Sequence, residues 1–433
     1  MSHVLHTQDD FTVASLGECQ FESPRKRSKK IEFISDAMGI RYVNETPPEV
    51  PEEANLFFER AGPREKIFFR PEVTSAALVT CGGLSPGLNN VIRSAYLELT
   101  HNYEVPRVLG IREGYQGLNP GAGLPPIPIT REFVRDIHNM GGSVLGSSRG
   151  PQDPQVTVDF LEREAIDILF CIGGDGTQRG AHAIYEEIQK RALPKAIVGI
   201  PKTIDNDIPH VWMTFGYATA LEKAEEVMRA AHVEAIGAPN GIGLVKVMGR
   251  DAGFIAAGAA VASQDANFVL VPEVPFILEG DDGFLTALER RILARGHALV
   301  TVAEGAGQHL LQQDSLSRDA SGNVKYEDIG IFLRDRIKEH FAARDIPINL
   351  KYLDPSYLIR SVPANAWDRV LSDRMARSAV HAAMAGKTGV LIGFEHGALI
   401  HVPIRTAVSE KKRMDVAGDI WNAVLSTTGQ PHW

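Results

Sequence analysis

Ile168-Leu169-Phe170-Cys171-Ile172-Gly173-Gly174-Asp175-Gly176-Thr177 is the stretch whose reading decides the fold. Five apolar residues with no polar alternation run into a glycine-rich turn, and a helix-period stretch, 178–191, follows. A continuous apolar run of strand length predicts a strand buried on both faces, as in a parallel sheet. Outward from it the pattern recurs. Strands are expected at 76–80, 108–111, 168–172, 196–200, 242–247, 268–271, 298–302 and 389–392. Helices are expected at 88–99, 178–191, 217–234, 252–263, 284–294, 329–343 and 364–385. This alternation predicts an α/β protein of doubly wound parallel sheets, with ligands at the carboxyl ends of the strands.

Composition narrows the class. The chain has 433 residues, enough for about two domains. Its net charge of −9 argues against nonspecific nucleic-acid binding. Cys19, Cys81 and Cys171 are odd in number and far apart, which excludes a disulfide framework and a cysteine zinc site. The start, MSHVLHTQDD, has no apolar signal region, and the apolar run 252–262 is too short to span a bilayer. A cytoplasmic protein with no membrane partner is expected. Residues 1–72 differ from the rest. A basic run from Arg25 to Lys30 and a Pro/Glu cluster at 46–53 read as solvated, while Phe57, Phe58, Ile67, Phe68 and Phe69 supply apolar anchors. This part is expected to be an arm packed on the main body.

The loops after the strands carry the chemistry. Residues 81–89, CGGLSPGLN, let backbone approach an anion at a helix N-terminus, or form a tight strand–helix turn. GGDGT, 173–177, offers a phosphate cradle with an acid for a metal–nucleotide. There Asp175 is either a metal ligand or a cap, and Thr177 could cap in its place. PKTIDND, 201–207, puts Asp205 and Asp207 two apart in an extended turn, as a metal or base pair or as Asx-turn residues. Met248-Gly249-Arg250 and Glu304-Gly305 end two further strands, where Arg can bind an anion and Glu can accept from sugar hydroxyls, or each can be an ordinary ion-pair residue. KYLDPSYLIR, 351–360, adds Lys351, Tyr357 and Arg360 as phosphate contacts.

In this order and spacing the motifs resemble those of the phosphofructokinases, over residues from about 59 to beyond 377. NAD kinases and lipid kinases share GGDG but lack TIDND followed by MGR. The segment ERAGPREKIFF, 59–69, is similar to the branch found in plants, trypanosomatids and some bacteria. The resemblance implies transfer of a phosphoryl group to the 1-hydroxyl of fructose 6-phosphate. It implies Asp205 as the base, with Asp207 nearby, and Arg149 as the cation on the transferring group. It implies Asp175 as the Mg²⁺ ligand. ATP would be lined by Gly83, Tyr115, Arg149, Gly150, Gly174, Asp175, Gly176, Thr177 and Gly180, with Tyr115 beside the adenosine. The sugar would be held by Thr203, Ile204, Asp205, Met248, Gly249, Arg250 and Glu304. Its 6-phosphate would meet Tyr357, Leu358, Ile359 and Arg360, with Lys351 reaching across from a neighbouring subunit of a homodimer or homotetramer. The implied architecture is two α/β domains facing across a cleft, the donor domain being 73–215 plus 361–405 and the sugar-phosphate domain 216–360 plus 406–433. Many bacterial members carry Arg where this chain has Gly241, which puts that cross-subunit contact and bacterial-type regulation in question.

Two residues bear on the phosphoryl donor, and they disagree. Pyrophosphate-using members of the family usually have Asp where this chain has Gly176; that carboxylate would repel the α-phosphate of ATP. Lys202 is the pyrophosphate-type residue. An obstacle discriminates more strongly than one added attraction, so ATP is the expected donor and pyrophosphate the alternative. A non-catalytic phosphosugar-binding subunit is the third reading, and the presence of Asp175, Asp205, Asp207 and Arg149 weighs against it.

Overall fold

A computed structural model describes residues 6–28, 30–44, 55–311 and 326–433. The Pro/Glu cluster at 46–53 and Lys29 of the basic run lie outside the described residues. The chain divides into two compact units. The first holds residues 1–203, 208–216 and 362–410, and the second 204–207, 217–361 and 411–433. Three boundaries differ from those expected, one being that residues 406–410 group with the first unit. The segment 204–207 groups with the second unit, and the N-terminal region belongs to the first.

The first unit is built on a nine-stranded sheet. Five strands form its parallel centre, in the order Val390–Glu395, Ala196–Pro201, Ile168–Gly173, Ser75–Thr80 and Arg107–Ile111. Every residue of Ile168–Gly173 is buried, as its unbroken apolar run requires. The expected purely parallel sheet is corrected at its edges. Ala398–Pro403 returns antiparallel beside Val390–Glu395, and the arm strands Phe57–Arg60 and Gly39–Arg41 follow it. The return is made by His396 and Gly397, both at positive φ (50° and 78°), as a twist-matched two-residue hairpin demands. On the other edge Ile127–Pro128 is antiparallel too.

The arm is tied down by charge as well as by sheet pairing. Glu98 is fully buried and paired with Arg377 at 2.6 Å and with Arg25 of the basic run. Lys26 pairs with Glu22 and Glu65, and Arg27 with Glu104.

The second unit carries a four-stranded, all-parallel sheet, ordered Phe268–Leu270, His297–Ala303, Gly241–Val247 and Asn349–Leu353. Gly241 opens its strand with no room for a side chain, because a Cβ there would lie 2.0 Å from the Ala235 carbonyl oxygen. This backbone therefore has no place for a side chain at that position. No helix among the described residues is long and apolar enough to cross a membrane.

Candidate active site

In the first unit the strand ends are laced together by hydrogen bonds. The Gly82 N–H donates to the Ser148 carbonyl at 3.0 Å, and the Ser147 hydroxyl donates to the Gly82 carbonyl at 2.6 Å. The Lys202 N–H donates to the Gly173 carbonyl at 3.0 Å, and its buried ammonium donates to the Gly83 carbonyl. The loops bearing Gly83, Arg149–Gly150, Gly174 and Lys202 are thus brought to one end of the sheet. Arg149 is exposed there.

Helix Asp175–Lys190 starts at this end, with Gly174 as its cap residue. Thr177, offered above as a possible cap, is instead the third helical residue and is buried. Asp175 is not left unengaged. Its carboxylate accepts from Arg179 at 3.2 Å, one turn on, in a pair that is partly exposed. Such a pair is worth little in water, so a divalent ion can displace it. A single hard carboxylate beside open space suits Mg²⁺, which keeps several waters and takes phosphate oxygens. That space is measurable at Gly176, which is exposed and where an added Cβ would meet nothing within 4 Å.

The Tyr115 ring is buried, its hydroxyl donates to the Thr177 carbonyl at 2.7 Å, and a Cβ on Gly180 would lie 2.5 Å from the ring. It braces the first turn of the helix. Gly180 is small for the sake of that ring.

The second unit gathers the acids. Asp205 is half-buried, with Oδ1 out of solvent. Burial raises its affinity for a proton well above the usual carboxylate range, and Asp207, Glu304 and Asp251 add to this, while a hydrogen bond from the Arg250 backbone opposes it. Glu304 is likewise raised by burial, against the charges of Arg250, Lys246 and Arg360. Asp205, Asp207, Arg250, Glu304 and Arg360 therefore share one electrostatic neighbourhood. Gly249 holds φ at 130°, and a Cβ there would lie 2.7 Å from the Ala252 carbonyl oxygen, so the turn before Arg250 needs glycine.

The remaining expected residues divide. Tyr357 and Leu358 are exposed, with Arg360 stacked over the Tyr357 ring at 4.8 Å. Lys351 is exposed on Asn349–Leu353, opposite Gly243. Ile359 and Ile204 are buried, as is Met248's neighbour Val247, so the two isoleucine side chains serve the core. Met248 and Thr203 are half-buried. Sequence reasoning missed Arg179, Asp251 and Lys246. Arg179 was legible from its i+4 spacing to Asp175. Lys246 bonds Asp328 at 2.7 Å and Asp354 at 2.8 Å, a pairing no local signal reveals.

Residues 75–383 match the phosphofructokinase family model. The chain belongs to the phosphofructokinase family. It is 47% identical over 438 residues to the ATP-dependent 6-phosphofructokinase of Borreliella burgdorferi, covering 98% of this chain and 97% of that one. It is 44% identical over 432 residues to the Trypanosoma brucei brucei ATP-dependent 6-phosphofructokinase, covering 98% and 88%. Among solved structures, the pyrophosphate-dependent phosphofructokinase of Marinobacter aquaeolei superposes with a TM-score of 0.67 at 19% identity, over 83% of this chain and 92% of that one. At that identity the likeness speaks to the phosphofructokinase fold alone.

Proposed function

We propose that the chain is an ATP-dependent 6-phosphofructokinase. It transfers the γ-phosphoryl group of ATP to the 1-hydroxyl of fructose 6-phosphate, giving fructose 1,6-bisphosphate and ADP. The observation that carries this reading is the full-length likeness to ATP-dependent enzymes at 47% identity. Gly176 supports the donor assignment, since its exposed, open position leaves the α-phosphate unopposed.

In this reading Asp205 takes the proton of the 1-hydroxyl as its oxygen bonds to phosphorus and the bond from phosphorus to ADP breaks. Desolvation and neighbouring carboxylates strengthen Asp205 as a base. Asp207 belongs to that neighbourhood. Arg149 offsets charge on the phosphoryl oxygens. Asp175 would hold Mg²⁺, which would supply positive charge against the donor phosphates. Gly83, Gly150, Gly174 and Gly176 leave backbone N–H groups within reach of phosphate. Thr203, Met248, Gly249, Arg250 and Glu304 orient the sugar, and Arg360, with Tyr357 and Lys351, meets the 6-phosphate. A cytoplasmic homodimer or homotetramer completes the reading.

Initial rates with Mg²⁺ and fructose 6-phosphate test it. Turnover with ATP and none with pyrophosphate is expected. Asp205→Asn is expected to lower kcat by about 10²–10⁴-fold. Pyrophosphate-only turnover would make Lys202 the donor determinant, and near-normal turnover by Asp205→Asn would remove Asp205 as the base.

A further inference from the structure

We propose that His6, His210 and Glu410 form a binding site for one divalent transition-metal ion of the zinc class, within the first unit. One ligand atom from each lies within 4.8 Å of those of the other two. A single ion can draw such a set together at about 2.0–2.2 Å per ligand. Two imidazoles and one carboxylate favour zinc, cobalt, nickel or copper over magnesium, which prefers oxygen alone. The site is therefore chemically separate from the Mg²⁺ of phosphoryl transfer.

The surroundings fit a built site. The His6 side chain is only 6% exposed. Its ring sits 5.2 Å from Phe11, 5.5 Å from Tyr42 and 6.0 Å from His210. His210 packs in turn 5.1 Å from Phe58. These rings form an apolar wall on the inner side, while Glu410 is exposed and leaves the outer side open for entry. Asp10 Oδ2 lies 3.8 Å from His6 Nδ1 and accepts the Thr7 N–H at 2.8 Å. His210 is held at φ 58°, a left-handed conformation uncommon outside glycine.

The three ligands come from distant parts of the chain. His6 lies near the start of the arm, His210 follows Asp207 by three residues, and Glu410 directly precedes the return into the second unit. A bound ion would pin the arm's first residues to both of the other segments.

The test uses full-length protein stripped with EDTA and returned to millimolar Mg²⁺. Co²⁺ is titrated by visible absorbance and Zn²⁺ by calorimetry. One saturable equivalent per chain, not displaced by Mg²⁺, is expected. His6→Ala and Glu410→Gln should each weaken it by about tenfold or more. His210→Asn, which tolerates the left-handed backbone, should do the same. No saturable equivalent in the unaltered protein, or unchanged affinity in these variants, overturns the site.

Discussion

Gly176 and Asp205 are where single residues decide most. A Cβ on Gly176 meets nothing, so Gly176→Asp is expected to fold normally. Its carboxylate would stand against the donor's α-phosphate, a repulsion on the order of several kcal/mol in a partly dry site. The specificity constant for ATP should fall at least about tenfold; unchanged ATP kinetics would remove the steric and electrostatic argument for donor choice. Asp205 presents the opposite economy. Its folded-state proton affinity is raised, so its contribution to stability is most favourable at low pH and is lost as pH rises through its folded pKa. Asp205→Asn, expected to cripple turnover, should therefore raise the unfolding free energy at neutral pH by about 1–2 kcal/mol. Glu304 is one of the charges that raise Asp205. Glu304→Gln should shift the acid limb of kcat/KM to lower pH, whatever it does to sugar affinity. An unmoved limb would mean that the limb does not report Asp205.

At the scale of elements, the buried strands were legible because parallel strands lack polar alternation. All eight expected strands recur, seven of them within one residue at each end, while the strand expected at 389–392 runs on to Glu395; the all-buried Ile168–Gly173 is the clearest. What was not legible was at the edges. Gly39–Arg41 is short and largely exposed, and Ala398–Pro403, though joined to Val390–Glu395 by a tight hairpin, has its other neighbour, Phe57–Arg60, far away in the chain. The helices Pro154–Arg163 and Asp419–Thr428 were missed too, although Asp153 and Pro154 make a recognisable start for the first. Site residues followed the same rule. Motif spacing located loops such as PKTIDND, but burial separates Tyr115, Ile204 and Ile359 from their exposed neighbours, and burial is a tertiary property. The arm strand Phe57–Arg60 also carries an electrostatic anchor. Burial would raise Glu59, but His401 at 2.9 Å and Lys387 at 3.0 Å outweigh it and bring its pKa down to about 2. Burial pulls His401 the other way, and the Arg64 guanidinium also pairs with Glu59, at 2.7 Å. Stability from Glu59 is thus present above pH 4.5 and lost as pH falls toward 2, at most about 3 kcal/mol. Glu59→Gln should destabilise the protein by about that much at pH 7 and flatten the acid loss in urea titrations. A full-sized acid loss in the variant would point to other carboxylates.

For the whole molecule, neither unit is contiguous in the chain. A fragment ending at residue 216 lacks Val390–Glu395, the outer strand of the parallel centre, and Ala398–Pro403, which joins that strand to the arm strands. Such a fragment is expected to be insoluble or to lack cooperative unfolding; a soluble fragment with a sharp melting transition would mean that the centre folds without them.

Arg60 pairs with Ile400, some 340 residues later. At about 5–20 residues per second of translation, the arm leaves the ribosome roughly 17–70 s before its neighbour strand exists. Through that interval Phe57 and Phe58 have only Gly39–Arg41 to pair with. The buried Phe58 waits until the last tenth of synthesis supplies Ala398–Pro403, which joins this hairpin to the rest of the sheet.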